Sequence, residues 1–153
     1  MKGGLTMTTP MSVNDLASLP DVTLESVIFD QLVTKMDDWD APRAAVAKWS
    51  EPERVCFVVN ATADEVFNGG FSQFFYDPAA RQLSDIAAQC FTTVGAEPWA
   101  AIVQAACDLI DGEGDKTNPL SALDDQFFAL DDATLSDLII AYIRANLTAF
   151  AAQ

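Results

Sequence analysis

The 153-residue chain contains no histidine. That removes the usual general base at neutral pH, the Ser-His and Cys-His nucleophile pairs, and the commonest metal ligand. Positive charge is scarce too: eight Lys and Arg stand against 23 Asp and Glu, a formal net charge of -15. Those eight are scattered from Lys2 to Arg144, so no basic cluster exists to hold phosphates, and neither nucleic acid nor an anionic membrane suits such a surface. Cysteine is limited to Cys56, Cys90 and Cys107, an odd number, far apart, each inside an apolar helical pattern. They read as small buried hydrophobes of a reducing compartment, not as a disulfide framework. No apolar run approaches the roughly 18 residues of a membrane span. The N-terminal segment, Met1 to Met7, also lacks the continuous apolar stretch of a signal peptide. The expectation is a cytoplasmic protein with a flexible lead over residues 1–11 and a single helical domain over 12–153, the start site being open between Met1, Met7 and Met11.

What is present is core material: half of the residues are hydrophobic, with ten Phe and three Trp. At this length a chain buries about two thirds of its unfolded surface without disulfides or metals to hold it. The charged partners that remain are basic: a cationic protein surface, or metal ions. The plainer explanation of the acidity is solubility.

The apolar spacing predicts an all-α bundle of about six to seven helices with short loops. Thr23 is a candidate cap for a helix carrying Leu24, Val27, Ile28 and Leu32, which ends before Asp37-Asp38-Trp39-Asp40. Asp40 and Pro42 open a short Ala-rich helix to about Trp49. Ser50 and Glu53 have capping-box spacing, and Val55, Val58, Val59 and Val66 share a face of the helix behind them, with a stop expected at Asn68-Gly69-Gly70. Pro78 begins what reads as one regular helix through Val94, closed by Gly95. Pro98 starts another, with Trp99, Ile102, Val103, Ala106 and Ile110 inward and Gly112 behind it. Asp111 to Leu120 reads as an acidic loop, followed by a short helix around Ala122 to Phe128. Asp131 or Asp132 then caps a final helix with Leu135, Leu138, Ile139, Tyr142, Ile143 and Leu147 along one stripe.

Motifs with catalytic chemistry are weak. Asp111, Glu113 and Asp115 alternate like the first ligands of a calcium loop, but Lys116 sits where Gly is required and Ala122 where a bidentate Glu belongs. A solvated acidic turn is the better reading, and no metal or cofactor is expected. Ser72 lacks both the second glycine of a nucleophile elbow and any histidine to activate it. The segment Asn68 to Tyr76 combines a helix stop, two glycines and four aromatics. Its structural reading has Asn68 and the glycines turning the chain, the aromatics plugging the core and Gln73 satisfying backbone groups. Its functional alternative is a small-ligand site or a carboxylate-based enzyme using Glu65 with Asp64 or Asp77, which requires a concavity holding a perturbed carboxylate near Phe71 and Phe74.

Glu65-Val66-Phe67-Asn68-Gly69-Gly70-Phe71-Ser72-Gln73-Phe74-Phe75, then Val94-Gly95-Ala96 and Leu123-Asp124-Asp125-Gln126-Phe127-Phe128, resembles the bacterial DNA-mimic protein family, originally catalogued as a domain of unknown function. The resemblance covers roughly residues 20–150. Its motif residues, Glu65, Asn68, Gly69, Gly70, Phe71, Gln73 and Phe74, look like a fold signature. The resemblance implies an acidic helical domain that binds a basic DNA-binding protein, a transcription regulator or nucleoid protein, in place of DNA, and that is not an enzyme. The carboxylates expected to meet such a partner are Asp108, Asp111, Glu113, Asp115, Asp124, Asp125, Asp131, Asp132 and Asp137, with Lys116 the one base among them, and a second cluster at Asp37, Asp38 and Asp40. Nothing in the sequence decides between monomer and dimer.

Overall fold

The computed structural model describes residues 11–112, 114 and 116–152. Residues 1–10 of the expected lead, together with Glu113 and Asp115, lie outside the described residues. Met11, expected in that lead, instead packs against the core, and its carbonyl accepts a hydrogen bond from the Ala152 N–H at 2.8 Å.

The described residues form helices only: α1 Val13–Ala17, α2 Asp21–Lys35, α3 Pro42–Val46, α4 Glu51–Tyr76, α5 Pro78–Arg81, α6 Ser84–Thr93, α7 Glu97–Asp111, α8 Thr117–Ala129, α9 Asp132–Ala145 and α10 Leu147–Phe150. Six are long, and the rest are single-turn connectors. This is the all-α bundle that the apolar spacing predicts.

α4 is the hub, packing against α2, α5, α6, α8, α9 and α10. Its start follows from the capping box: the Glu53 N–H donates to Ser50 Oγ at 3.4 Å, and the Ser50 N–H donates back to Glu53 Oε1 at 3.1 Å. Val55, Cys56, Val58, Val59, Val66, Phe71 and Phe74 are all buried behind it. α6 and α7 pack on each other, α6 also meets the hub and α7 meets α8, while α2 meets α9 and α1 meets α10. Arg144 of α9 holds the chain before α2, donating to the Leu19 carbonyl at 2.8 Å and the Asp21 carboxylate at 2.6 Å.

The helix stop expected at Asn68–Gly70 is instead a kink. The backbone leaves helical geometry at Gly69 and Gly70, then resumes through Tyr76. Gly70 has φ 74, a conformation that costs a side-chain-bearing residue about 1–2 kcal/mol. Resumption after a break leaves fresh N–H groups without helical acceptors. One of these, the Phe71 N–H, donates to Asp124 Oδ1 of α8 at 2.7 Å. A carboxylate 53 positions away in sequence therefore caps the second half of α4.

Other boundaries differ for local reasons. α2 begins at Asp21 rather than at a Thr23 cap, because Pro20 pre-sets the entry and its carbonyl accepts from the Leu24 N–H at 2.8 Å. The helix expected from Pro78 to Val94 is split: Gln82 and Leu83 bond back three residues to Ala79 and Ala80, a tighter turn that re-aims α6. α6 does end at Gly95, with φ 85, where the Ala96 N–H reaches the Phe91 carbonyl and the Gly95 N–H the Thr92 carbonyl. The acidic loop is shorter than Asp111 to Leu120, since α7 runs through Asp111 and α8 starts at Thr117. The final stripe breaks at Asn146, with φ -132, so Leu147 belongs to α10.

Candidate functional site

The carboxylates expected to meet a partner lie on α7, α8 and α9 and in their connections. Asp108 and Asp111 lie one turn apart near the end of α7, where i and i+3 side chains share a face. Asp125 projects from α8, Asp131 and Asp132 stand at the start of α9, and Asp137 is one to two turns further on. All six are exposed. Among the described residues, none of them lies in an ion pair: the four that form are Lys35–Glu53, Arg43–Asp85, Lys48–Asp37 and Arg144–Asp21. Asp131 has a local duty as well, accepting from the Ala133 N–H at 3.3 Å and the Thr134 hydroxyl at 2.8 Å to cap α9. Asp108 accepts from Gln104 Nε2 at 2.8 Å. Asp124 stands apart, half-buried, its carboxylate turned inward to the Phe71 N–H.

The second cluster is more engaged. Asp37 pairs with Lys48 at 3.2 Å, and Asp38 Oδ1 accepts from the Asp40 and Ala41 N–H groups at 3.0 and 3.2 Å. All three carboxylates are exposed around Trp39, itself 54% exposed, whereas Trp49 and Trp99 are buried.

The motif segment packs as follows. Phe71 and Phe74 are fully buried, and Phe127 of α8 meets Phe71 edge-on at 5.7 Å and Phe67 at 5.4 Å between ring centres. The aromatic side of this corner is therefore filled by core side chains. Gln73 does not serve backbone groups as expected; its Nε2 donates to Glu65 Oε2 at 2.6 Å, eight residues back across the kink. Asn68 and Gly69 are exposed.

A concavity does exist at the outer side of the corner. It has a volume of about 240 Å³ and is bounded by Trp39, Pro42, Phe57, Ala61, Leu83 and the polar side chains of Asp64, Glu65, Asn68 and Asp77. Burial pushes the Asp64 carboxyl up from its ordinary value. Glu65 is also raised, by burial first and by its hydrogen bond to the facing Asp77, against the lowering pull of Gln73. Asp77 is held down by that same hydrogen bond and by the Ala79 and Ala80 N–H groups, which it accepts at 2.9 and 3.4 Å as the cap of α5. Of the two, Glu65 is therefore the one that holds a proton more readily and Asp77 the one that gives it up. Of this site, Glu65, Asp64 and Asp77 were marked by their sequence position beside the motif. Trp39 and Phe57 were not, and the one signal that could have found Trp39 is an aromatic residue set in a polar, acidic break.

The remaining chemistry-bearing groups are quiet. Burial raises the thiol of Cys56 to about 12 and those of Cys90 and Cys107 to about 11, so none is a nucleophile at neutral pH. Among the described residues, no group of three or more Cys, Asp or Glu side chains is arranged to hold a metal ion. No helix among them is long and apolar enough to cross a membrane. A wider open groove of about 740 Å³ between α6 and α7 has Asp85, Glu97 and Asp111 on its walls and no Lys or Arg.

A family model described as DMP19-like protein matches residues 47–146. That span holds α4 from before its capping box to its kinked end, all of α5 to α8, and α9. No curated protein and no solved structure matches the chain.

Proposed function

We propose, given that the chain belongs to the DMP19-like protein family, that this acidic helical protein-binding module occupies the basic DNA-contacting surface of a DNA-binding protein and so keeps DNA from it. The observation that carries the proposal is the set of exposed carboxylates at Asp108, Asp111, Asp125, Asp131, Asp132 and Asp137, none in an ion pair with a described Lys or Arg. A surface that reads phosphates by Lys and Arg gains the same favourable contacts from carboxylates at comparable spacing, and like phosphates they draw the partner in by long-range attraction. Glu113 and Asp115, in the adjoining loop, are part of the proposed surface by sequence position. Asp37, Asp38 and Asp40 form its second patch.

The test is direct competition. The protein is immobilised at low salt, basic DNA-binding proteins are captured, and duplex DNA is titrated in. We expect duplex DNA to displace the captured protein, raised salt to weaken capture steeply, and Asp125→Asn, Asp132→Asn and Asp137→Asn combined to weaken it by about tenfold or more, at roughly 0.5–1 kcal/mol per charge. Capture that resists duplex DNA, or that survives the triple substitution unchanged, would end this reading.

A further inference from the structure

The concavity beside Trp39 has features that a surface of solvated carboxylates does not. At about 240 Å³ it is smaller than the roughly 300–1,000 Å³ of sites that enclose a drug-sized molecule, and it suits a single long side chain. Its walls are apolar and aromatic: the exposed face of the Trp39 indole, Phe57 at 6.1 Å between ring centres, and Leu83. Its polar groups are Asp64, Glu65 and Asp77, and none of these carboxylates is in an ion pair with a described Lys or Arg. Glu65 and Asp77 stand close enough to hydrogen-bond to one another, so two carboxyl groups meet here with no described Lys or Arg in an ion pair with either.

We infer that this concavity is the seat of an arginine side chain from the basic protein partner. The inference rests on the proposed binding role and adds to it a specific anchoring point. Arginine is singled out over lysine by three properties. Its planar guanidinium stacks on an indole face, its fork of N–H donors serves two carboxylates at once, and it sheds water at lower cost than an ammonium. Its methylene stem matches the apolar walls. The neighbouring carboxylates of Asp37, Asp38 and Asp40 extend the negative potential beyond the pocket, so the segment bearing the arginine is basic over a wider footprint than one residue. Interfaces concentrate their energy at such points, where a Trp and an Arg meet in a desolvated pocket.

The experiment uses the intact protein and two small probes, N-acetyl-arginine amide and N-acetyl-lysine amide, with putrescine as a third, non-amino-acid cation. Trp39 is the exposed tryptophan, against 8% and 4% exposure for Trp49 and Trp99, so tryptophan emission with probe added reports on this pocket. We expect saturable quenching by the arginine probe with an affinity at least threefold above the lysine probe and putrescine. Asp64→Asn and Glu65→Gln should each weaken it threefold or more, and Asp132→Asn, on the α9 surface, should leave it unchanged. Trp39→Phe removes the fluorescence response, and carbon-detected NMR of the Asp and Glu carboxyls then reads binding independently of that indole. Equal affinity for all three probes, or equal loss from Asp132→Asn and Asp64→Asn, would overturn the pocket and leave only diffuse attraction. That failure is separable from failure of the binding role, because displacement of a captured protein by duplex DNA does not depend on any of these probes.

Discussion

The same residue type serves two purposes in two regions of this molecule. At the Asn68–Tyr76 corner, carboxylates are turned toward other groups of the chain: Asp124 takes the Phe71 N–H, Asp77 takes two N–H groups of α5, and Glu65 meets both Gln73 and Asp77. Along α7 to α9, Asp111, Asp125, Asp132 and Asp137 face water, and none of them is in an ion pair with a described Lys or Arg. In the first set Asp124 and Asp77 satisfy backbone N–H groups that would otherwise lose hydrogen bonds, and Glu65 serves side chains across the kink. The second contributes self-repulsion to the folded state, which a bound basic partner of the kind proposed would relieve. An aspartate count therefore says little about function until each carboxylate is assigned an inward or an outward duty.

That division can be broken most severely at Gly70. An alanine there must adopt φ 74, and its Cβ would fall on the Asp124 carboxylate, displacing the cap it provides. We expect Gly70→Ala to cost about 3 kcal/mol, from about 1–2 for the left-handed backbone and about 1–2 for the lost cap. Gly95 has φ 85 but open space, the nearest side-chain atom to a new Cβ being Leu138 Cδ2 at 3.8 Å. Gly95→Ala should cost about 1 kcal/mol. Urea unfolding of both variants measures the gap, and equal costs would deny the corner its special role.

A smaller effect sharpens the contrast between neighbours. Asp124→Ala should destabilise by about 2 kcal/mol, the upper range for loss of a helix cap, and Asp125→Ala by less than about 0.5 kcal/mol, as for an exposed side chain. Thermal melts of the two variants side by side decide this. If Asp125→Ala proved the more costly, inward and outward would have been assigned the wrong way round.

The smallest effect is a pH dependence. Glu65 has a folded-state value above its unfolded one, so the native state holds its proton more tightly and gains stability at low pH. That contribution is lost as pH rises from the ordinary glutamate range through the raised value. Asp77, held down, works in the opposite sense: its contribution is present above the ordinary aspartate range and is lost as pH falls through the lowered value. Glu65→Gln should therefore flatten the decline of melting temperature as pH rises above the ordinary glutamate range. An unchanged slope would mean that the fold does not raise the Glu65 carboxyl.

How far these features are visible in sequence depends on the distance over which they are set. The capping box at Ser50 and Glu53, the stop at Gly95 and the buried faces of α4 and α7 follow from spacings of three to five residues, and the chain realises them. The Gly69–Gly70 break is equally legible, but whether a helix stops or kinks there depends on what receives the freed N–H of Phe71. The receiver is Asp124, on another helix, so tertiary packing decides the outcome. The outward acids were legible as a dense stretch from Asp108 to Asp137, yet nothing local marks Asp124 as different from Asp125. The Trp39 pocket was the least visible of all, because it assembles a loop before α3, the middle of α4 and the start of α5.

The bond between Met11 and Ala152 puts the two ends of the described chain side by side, with α1 against α10 and Arg144 clamped to the carbonyls of Ala17 and Leu19. A pulling force applied at these ends would not load the core in shear. It would peel α1 from α10 and reach the Arg144 clamp next, opening contacts one after another from the ends inward.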